Sequence, residues 1–408
     1  MLGVACNALV EGPDAFSLRS TAPGCDGPCA GEDAGPEPLA PDAEAGVGVL
    51  GPDRRAPWPM LGANAAHSGR VTIKASTMSG KISHWKVLPG VPPSAGPAVD
   101  GDGVAYFTTT TGTLVAVALD GTIRWTRALG GPSRCTPALG NGAIYATAST
   151  GLTAFSPAGD KLWSVAAGAA SSPVIAADGT VYVTDVAGVH ALSPAGAVTW
   201  TYASPGGTAL RGDAVAIGDD GVIYAVRNGL HAISPSGVRL WLAPQGDVMA
   251  PPPVVAGGKI YIGSGNSLVA LRADTHQVAW SSPLTTPALR ASPAVDKNGL
   301  LYFFDGKILE WISGEDGVLN LPTNDLGVTR PFQPMVDGRG NVYVAEQDMD
   351  GVIVTTRRGT SPTSESWSLG LGDDVQPIGF AIGNDGTVFL SAASPSSTAR
   401  GFVIAIAP

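Results

Sequence analysis

Five histidines and four cysteines are the residues of this chain that most readily serve as nucleophiles, bases or metal ligands. Their spacing decides which of those roles is open. His67, His84 and His276 stand apart, but His190 and His231 sit in matching settings, Val189-His190-Ala-Leu and Leu230-His231-Ala-Ile. Two imidazoles at equivalent places of adjacent structural units are a candidate metal pair. Equivalent atoms of neighbouring units are nonetheless too far apart to share an ion, whose ligands lie about 2 Å from it. Repeat equivalence accounts for the match, so the pair reads as structural. No Ser/His/Asp or Cys/His arrangement occurs in a recognisable motif, and no catalytic or metal-ligating residue is expected.

The cysteines are Cys6, Cys25, Cys29 and Cys135. Cys25 and Cys29 either close a small disulfide or stay free; a second Cys/His pair that would complete a zinc site is missing. Cys135 replaces a small Ser or Ala of other units, such as Ser172, Ala291 or Ser292, and reads as a buried small residue. One charged pattern rises above this background. Arg134, Arg211, Arg290 and Arg330 each lie three or four residues before a predicted innermost strand. Four guanidiniums converging on a channel mouth would form a positive funnel for a carboxylate, a phosphate or an acidic peptide. The competing reading pairs each arginine locally with an acid such as Asp213, Asp247 or Asp373.

The elements that must position these residues follow from a repeat. Seven tyrosines, Tyr106, Tyr145, Tyr182, Tyr224, Tyr261, Tyr302 and Tyr343, each follow an apolar residue just after a Gly-containing turn, and Phe389 takes the eighth place. Successive spacings of 37 to 46 residues match one blade of a propeller. The third unit shows four short strands: Ser172-Pro-Val-Ile, Asp178-Gly-Thr-Val-Tyr-Val, Gly188-Val-His-Ala-Leu and Ser193-Pro-Ala-Gly-Ala-Val-Thr-Trp200. Asp-Gly and Pro-x-Gly supply the backbone angles that tight hairpins demand. Trp125, Trp163, Trp200, Trp241, Trp280 and Trp367 end most units and are expected to pack between blades. Trp85 precedes the first unit, whereas the last unit stops at Pro408 without its fourth strand. The expected architecture is therefore all-β: an eight-bladed propeller of four-stranded antiparallel blades, its ring closed by an N-terminal strand carrying Trp85.

Composition divides the chain at about residue 56. Residues 1–56 are rich in Gly, Pro, Ala, Asp and Glu without apolar periodicity, and read as a disordered acidic tether before a 57–408 propeller. A net charge of −10 opposes a nucleic-acid partner, and no apolar run is long enough to span a membrane as a helix. Met1-Leu-Gly-Val-Ala-Cys6 resembles the end of a bacterial lipoprotein signal, which would make Cys6 the lipidation site of an exported, envelope-anchored monomer.

The endings Ala118-Leu-Asp-Gly-Thr-Ile-Arg-Trp125 and Ala191-Leu-Ser-Pro-Ala-Gly-Ala-Val-Thr-Trp200 resemble the tryptophan-docking repeat of the pyrroloquinoline-quinone (PQQ) propeller superfamily. Trp58-Pro-Met-Leu-Gly-Ala-Asn-Ala-Ala-His-Ser-Gly-Arg70 resembles the segment before the first blade in many members. The resemblance covers residues 58–408 and implies fold rather than activity. One branch contains quinone-dependent dehydrogenases, which hold the cofactor between a vicinal Cys-Cys disulfide and a Trp, with calcium nearby. This chain has no Cys-Cys pair, and Trp311, the one propeller Trp off the repeat-end position and outside the entry segment, occupies an ordinary third-strand place. Neither PQQ nor calcium is therefore favoured. The other branch, non-enzymatic scaffolds such as the propeller lipoprotein of the outer-membrane β-barrel assembly machinery, implies a protein or envelope partner, acidic if the arginine funnel holds. A PQQ-dependent oxidoreductase with a non-classical site is the alternative.

Overall fold

The computed structural model describes residues 50–72, 82–89, 91–167, 171–203, 214–226, 228–246, 251–286, 289–306, 308–320, 333–348, 351–358, 361–372, 375–394, 396–397 and 400–406. Side chains are described except in the strands or strand parts 82–89, 319–320, 345–348, 351–358 and 361–372.

The described strands form eight four-stranded antiparallel sheets, numbered in chain order, and together make an all-β propeller. Sheets 1 to 7 each take four consecutive strands. Sheet 3, for example, runs Val174–Ile175, Val181–Thr184, Gly188–Leu192, Val198–Ala203. The last sheet is ordered Ile82–Pro89, Arg400–Ile406, Val388–Ala393, Gln376–Ile382, so its outermost strand comes from before sheet 1. Trp85 stands opposite Ile404 in that pairing.

Burial follows position across each sheet. The second and third strands of sheet 3 are buried at every residue, whereas its outer strand alternates between exposed and half-buried. Middle strands are covered on both faces by neighbouring sheets, which is why they read as continuous apolar runs.

The tyrosine and tryptophan that mark each repeat have separate tasks. The Tyr106 hydroxyl donates to Asp100 Oδ2 at 2.9 Å, and Tyr343 donates to Asp337 Oδ2 at 3.1 Å. In sheet 2, Asn141 Nδ2 donates to the Tyr145 hydroxyl instead, at 3.1 Å. Each Asx opens the turn after the innermost strand; in the aspartates the other oxygen caps that turn, Asp100 Oδ1 accepting the amides of Asp102 and Val104, whereas Asn141 Oδ1 accepts from Gly51 N at 2.7 Å. A buried hydroxyl without a partner would be costly, so each of these tyrosines needs one; in sheet 5, where no Asx opens the turn, Tyr261 donates to Gly314 O at 3.4 Å.

The tryptophan joins neighbouring sheets. Indole Nε1 of Trp125, Trp163 and Trp200 donates to the carbonyls of Pro157, Pro194 and Pro235 in the next sheet at 2.9–3.0 Å, and Trp280 donates to Gly314 at 3.1 Å. Each ring also lies 5.7–5.8 Å from the repeat tyrosine of its own sheet.

Candidate functional site: the plugged channel

The innermost strands are sheet edges, so alternate backbone groups face the central axis instead of a strand partner. At one end of the ring those groups are taken up by the chain's own segment Gly51–Val71. Carbonyls of Trp58, Pro59, Ala65, Ala66, Ser68 and Gly69 accept the amides of Val99, Leu139, Ile217, Val255, Val295 and Val336, at 2.7–2.9 Å. These amides belong to sheets 1, 2, 4, 5, 6 and 7. Gly51 O additionally accepts from Asn141 N, and Asn384 Nδ2 of the last sheet reaches Arg55 O at 2.9 Å. The segment is a plug across one mouth of the channel.

The plug has no regular structure. Its side chains anchor it: Met60 is wholly buried among residues of sheets 2, 3 and 4, and Trp58 packs with the last sheet. Ala63 and His67 adopt left-handed backbone angles (φ 71° and 55°), a conformation that costs roughly 1–2 kcal/mol per non-glycine residue. Gln333 fixes the far end, its Nε2 donating to His67 O at 2.7 Å and Pro293 O at 3.0 Å. Composition groups residues 51–56 with the acidic tether, yet Pro52 bridges Gly140, and Asp53 N donates to Leu139 O at 3.0 Å.

His67 is the unusual group. Its imidazole is fully buried, and neither ring nitrogen has a hydrogen-bond partner among the described residues. Burial pulls its pKa down to about 4; the Pro253 carbonyl opposes that shift but lies outside hydrogen-bonding geometry. The ring is neutral at physiological pH.

The residues expected from sequence are distributed as follows. Arg134 and Arg290 are exposed in the loops leading to the innermost strands of sheets 2 and 6. Arg211 and Arg330 lie outside the described residues, as do the acids offered as their partners, Asp213, Asp247 and Asp373, and the cysteines Cys6, Cys25 and Cys29. Since the plug bonds the C-terminal ends of the innermost strands, Arg134 and Arg290 belong to the opposite mouth. Cys135 is buried and free, with burial pushing its thiol pKa up.

His190 is held within its own sheet, with Nε2 2.8 Å from Asp185 Oδ1 and Nδ1 3.0 Å from Thr201 Oγ1. His231 instead faces Tyr202 of sheet 3 across the seam, Nδ1 to hydroxyl at 2.9 Å. The two imidazoles therefore have separate partners. Trp311 pairs across the strand with Tyr302 and packs within sheets 6 and 7. That placement does not make it one face of a quinone sandwich, and the sequence has no vicinal cysteine pair for the other. The residues present do not fit a quinone held in that way.

Four-stranded blades, indoles docked on the next blade and a plugged axis define a propeller of PQQ-like repeats. A family model described as outer membrane protein assembly factor BamB matches residues 67–209, 148–292 and 219–368, together well over half the chain. The chain belongs to that family. Among solved structures it resembles quinohemoprotein alcohol dehydrogenase from Comamonas testosteroni, at 12% identity over 86% of this chain and 80% of that one, TM-score 0.63. It also resembles the computationally designed Ika8 protein, at 9% identity over 78% and 97% of the chains, TM-score 0.59. BamB from Moraxella catarrhalis is matched at 16% identity over 83% and 96%, TM-score 0.42. No curated protein matches the sequence. At these identities the first two likenesses establish the fold alone.

Proposed function

We propose that the chain is a non-catalytic, exported scaffold of the cell envelope that presents the mouth opposite its plug to a protein partner. The observation that carries this reading is the plug, considered with the family: the chain devotes a segment of its own to closing the axis, and its family is described by an assembly factor. The repeat tyrosines, tryptophans and Asx residues are engaged in turns and seams, which leaves loops to meet a partner. In the same reading the ring has eight blades and is closed by Ile82–Pro89, Cys6 carries a lipid, and residues before the plug tether the ring to a membrane. Arg134, Arg211, Arg290 and Arg330 form the positive rim, and an acidic segment of the partner docks there.

The test is binding of a fluorescent poly-glutamate peptide at low salt to wild type and to the Arg134→Ala/Arg290→Ala double variant. At least a tenfold weakening in the variant is expected; equal binding removes the rim from the proposal. In parallel, purified protein receives PQQ and calcium with an electron-accepting dye. Stoichiometric chromophore binding with turnover overturns the non-catalytic reading. A metabolic lipid label retained in Cys6→Ser removes the anchor.

A further inference from the structure

The side wall of the ring differs in character from its two mouths. The outer strands of sheets 2, 3 and 4, Lys161–Val165, Val198–Ala203 and Arg239–Ala243, lie side by side there, joined by the Trp163 and Trp200 indoles. Leu162, Val198, Leu240 and Leu242 on these strands, with Val238 just before the third, are 43–61% exposed. Trp163, Trp200 and Trp241 are half-buried on the same strands. Lys161 and Arg239 are exposed, and neither has an ion-pair partner among the described residues. The three strands hold no acidic residue, and Asp160, in the turn before Lys161, is the one acid within three residues of them, in a chain whose net charge is −10.

Large apolar side chains left in water at neighbouring positions mark a docking face. The strand edges narrow what can cover it. Each of the three strands has a β-bulge one residue before its tryptophan: Leu162, Thr199 and Leu240 are the extra residues, passed over in the register with the third strand. A bulge bends and twists an edge away from any further strand, so this wall is poorly suited to pairing with another polypeptide. A lipid surface asks nothing of backbone register. It does select apolar side chains that reach the acyl boundary, indoles that favour the headgroup level, and cations free of acids.

We propose that the outer face of sheets 2 to 4 docks the ring side-on to an anionic lipid surface, with Lys161 and Arg239 at the phosphates and Leu162, Leu240 and Leu242 at the acyl boundary. The channel axis then lies along the membrane, and both mouths stay clear of the bilayer. This inference needs neither a lipid on Cys6 nor the positive rim, and its test removes the first.

The experiment floats the whole chain, carrying Cys6→Ser, with vesicles of phosphatidylcholine alone or of phosphatidylcholine mixed with phosphatidylglycerol. Partition onto the mixed vesicles at least tenfold above that onto phosphatidylcholine, falling as salt is raised, is expected. Leu240→Ser/Leu242→Ser and, separately, Lys161→Glu/Arg239→Glu should each lower it at least tenfold. Val318→Ser, which changes a side chain equally exposed on sheet 6, should not alter it. No partition, equal partition onto both vesicles, or variants that bind as wild type overturn the proposal. Self-association in sedimentation velocity that Leu240→Ser/Leu242→Ser abolishes would assign the face to a second copy and overturn it too. Should a variant fail to fold, quenching of tryptophan emission by brominated acyl chains, with the Cys6→Ser chain on mixed vesicles, gives a separate reading: quenching is expected, and its absence overturns the proposal.

Discussion

Replacing Gly196 by alanine puts a single methyl group against the joint between sheets 2 and 3. Gly196 holds φ at 87°, and a Cβ there would sit 2.6 Å from Cδ2 of the Trp163 indole. Two costs follow. The left-handed backbone angle costs a non-glycine residue roughly 1–2 kcal/mol, offset by about 0.4–1 kcal/mol from the stiffer unfolded chain. The indole must also move, which weakens its 3.0 Å bond to Pro194 O and its contact with Tyr145 at 5.7 Å. Those are worth about 1 kcal/mol and 0.5–1.5 kcal/mol respectively. Together they give a loss of about 2–4 kcal/mol. Gly257→Ala is the matched control, since its φ is 56° and no atom lies within 4 Å of the added methyl; it should cost about 1 kcal/mol or less. Urea unfolding followed by tryptophan emission and by far-ultraviolet circular dichroism measures both. If Gly196→Ala costs no more than Gly257→Ala, the indole does not depend on that glycine, and the account of how blades are joined is wrong.

Met60→Ala leaves a cavity where the plug meets sheets 2 to 4 and should cost about 2–5 kcal/mol, read as a lower urea midpoint. Gln333→Leu removes the bonds by which Gln333 ties His67 O of the plug to Pro293 O, so hydrogen exchange should quicken at Val255, Val295 and Val336 while the Tyr145 strand is unaffected. On the acid side, His67 has a folded pKa of about 4, below its unfolded value of 6.5. The folded state therefore holds fewer protons between those values, and its contribution, present in full above pH 6.5, is lost as pH falls towards 4. That contribution is about 3 kcal/mol, and His67→Phe should flatten the stability profile over that window. On the alkaline side, burial, helped by Asp178 and Asp220, pushes Tyr182 and Tyr224 up to about 12 from 10. Their contribution is intact below pH 10 and is lost as pH rises to 12, so midpoints should fall across that range, and less steeply in Tyr182→Phe.

The repeat is legible because its signals are local and each recurs in most units. Tyr182, Trp200 and the Asp178-Gly and Ser193-Pro-Ala-Gly turns lie within one unit, and apolar runs between turns identify strands without knowledge of the neighbours. The partners of the marker residues are less visible. That Tyr106 needs Asp100, or Tyr145 needs Asn141, is a four- to six-residue relation which an alignment on tyrosines passes over. The plug is not legible as a plug. It lacks periodicity, its two strained non-glycine residues carry no sequence mark, and its partners lie as far as 329 residues away. Cys135 as a buried small residue follows from repeat equivalence, whereas the different partners of His190 and His231 do not, because equivalence relates positions and not side-chain contacts.

The plug also orders events in time. It leaves the ribosome before every strand it bonds, yet the bond from Asn384 Nδ2 of the last sheet to Arg55 O cannot form until nearly all of the chain exists. Loop-closure entropy grows only slowly with length, so the wait is set by synthesis and by completion of the sheets more than by the search for the ends. Until then the inner edges of sheets not yet made or not yet bonded stay open to any passing strand, and a chain cut short at the start of sheet 7 leaves Gly69 O without the Val336 amide. The segment thus works as a completion signal: only a finished ring can retain its own beginning.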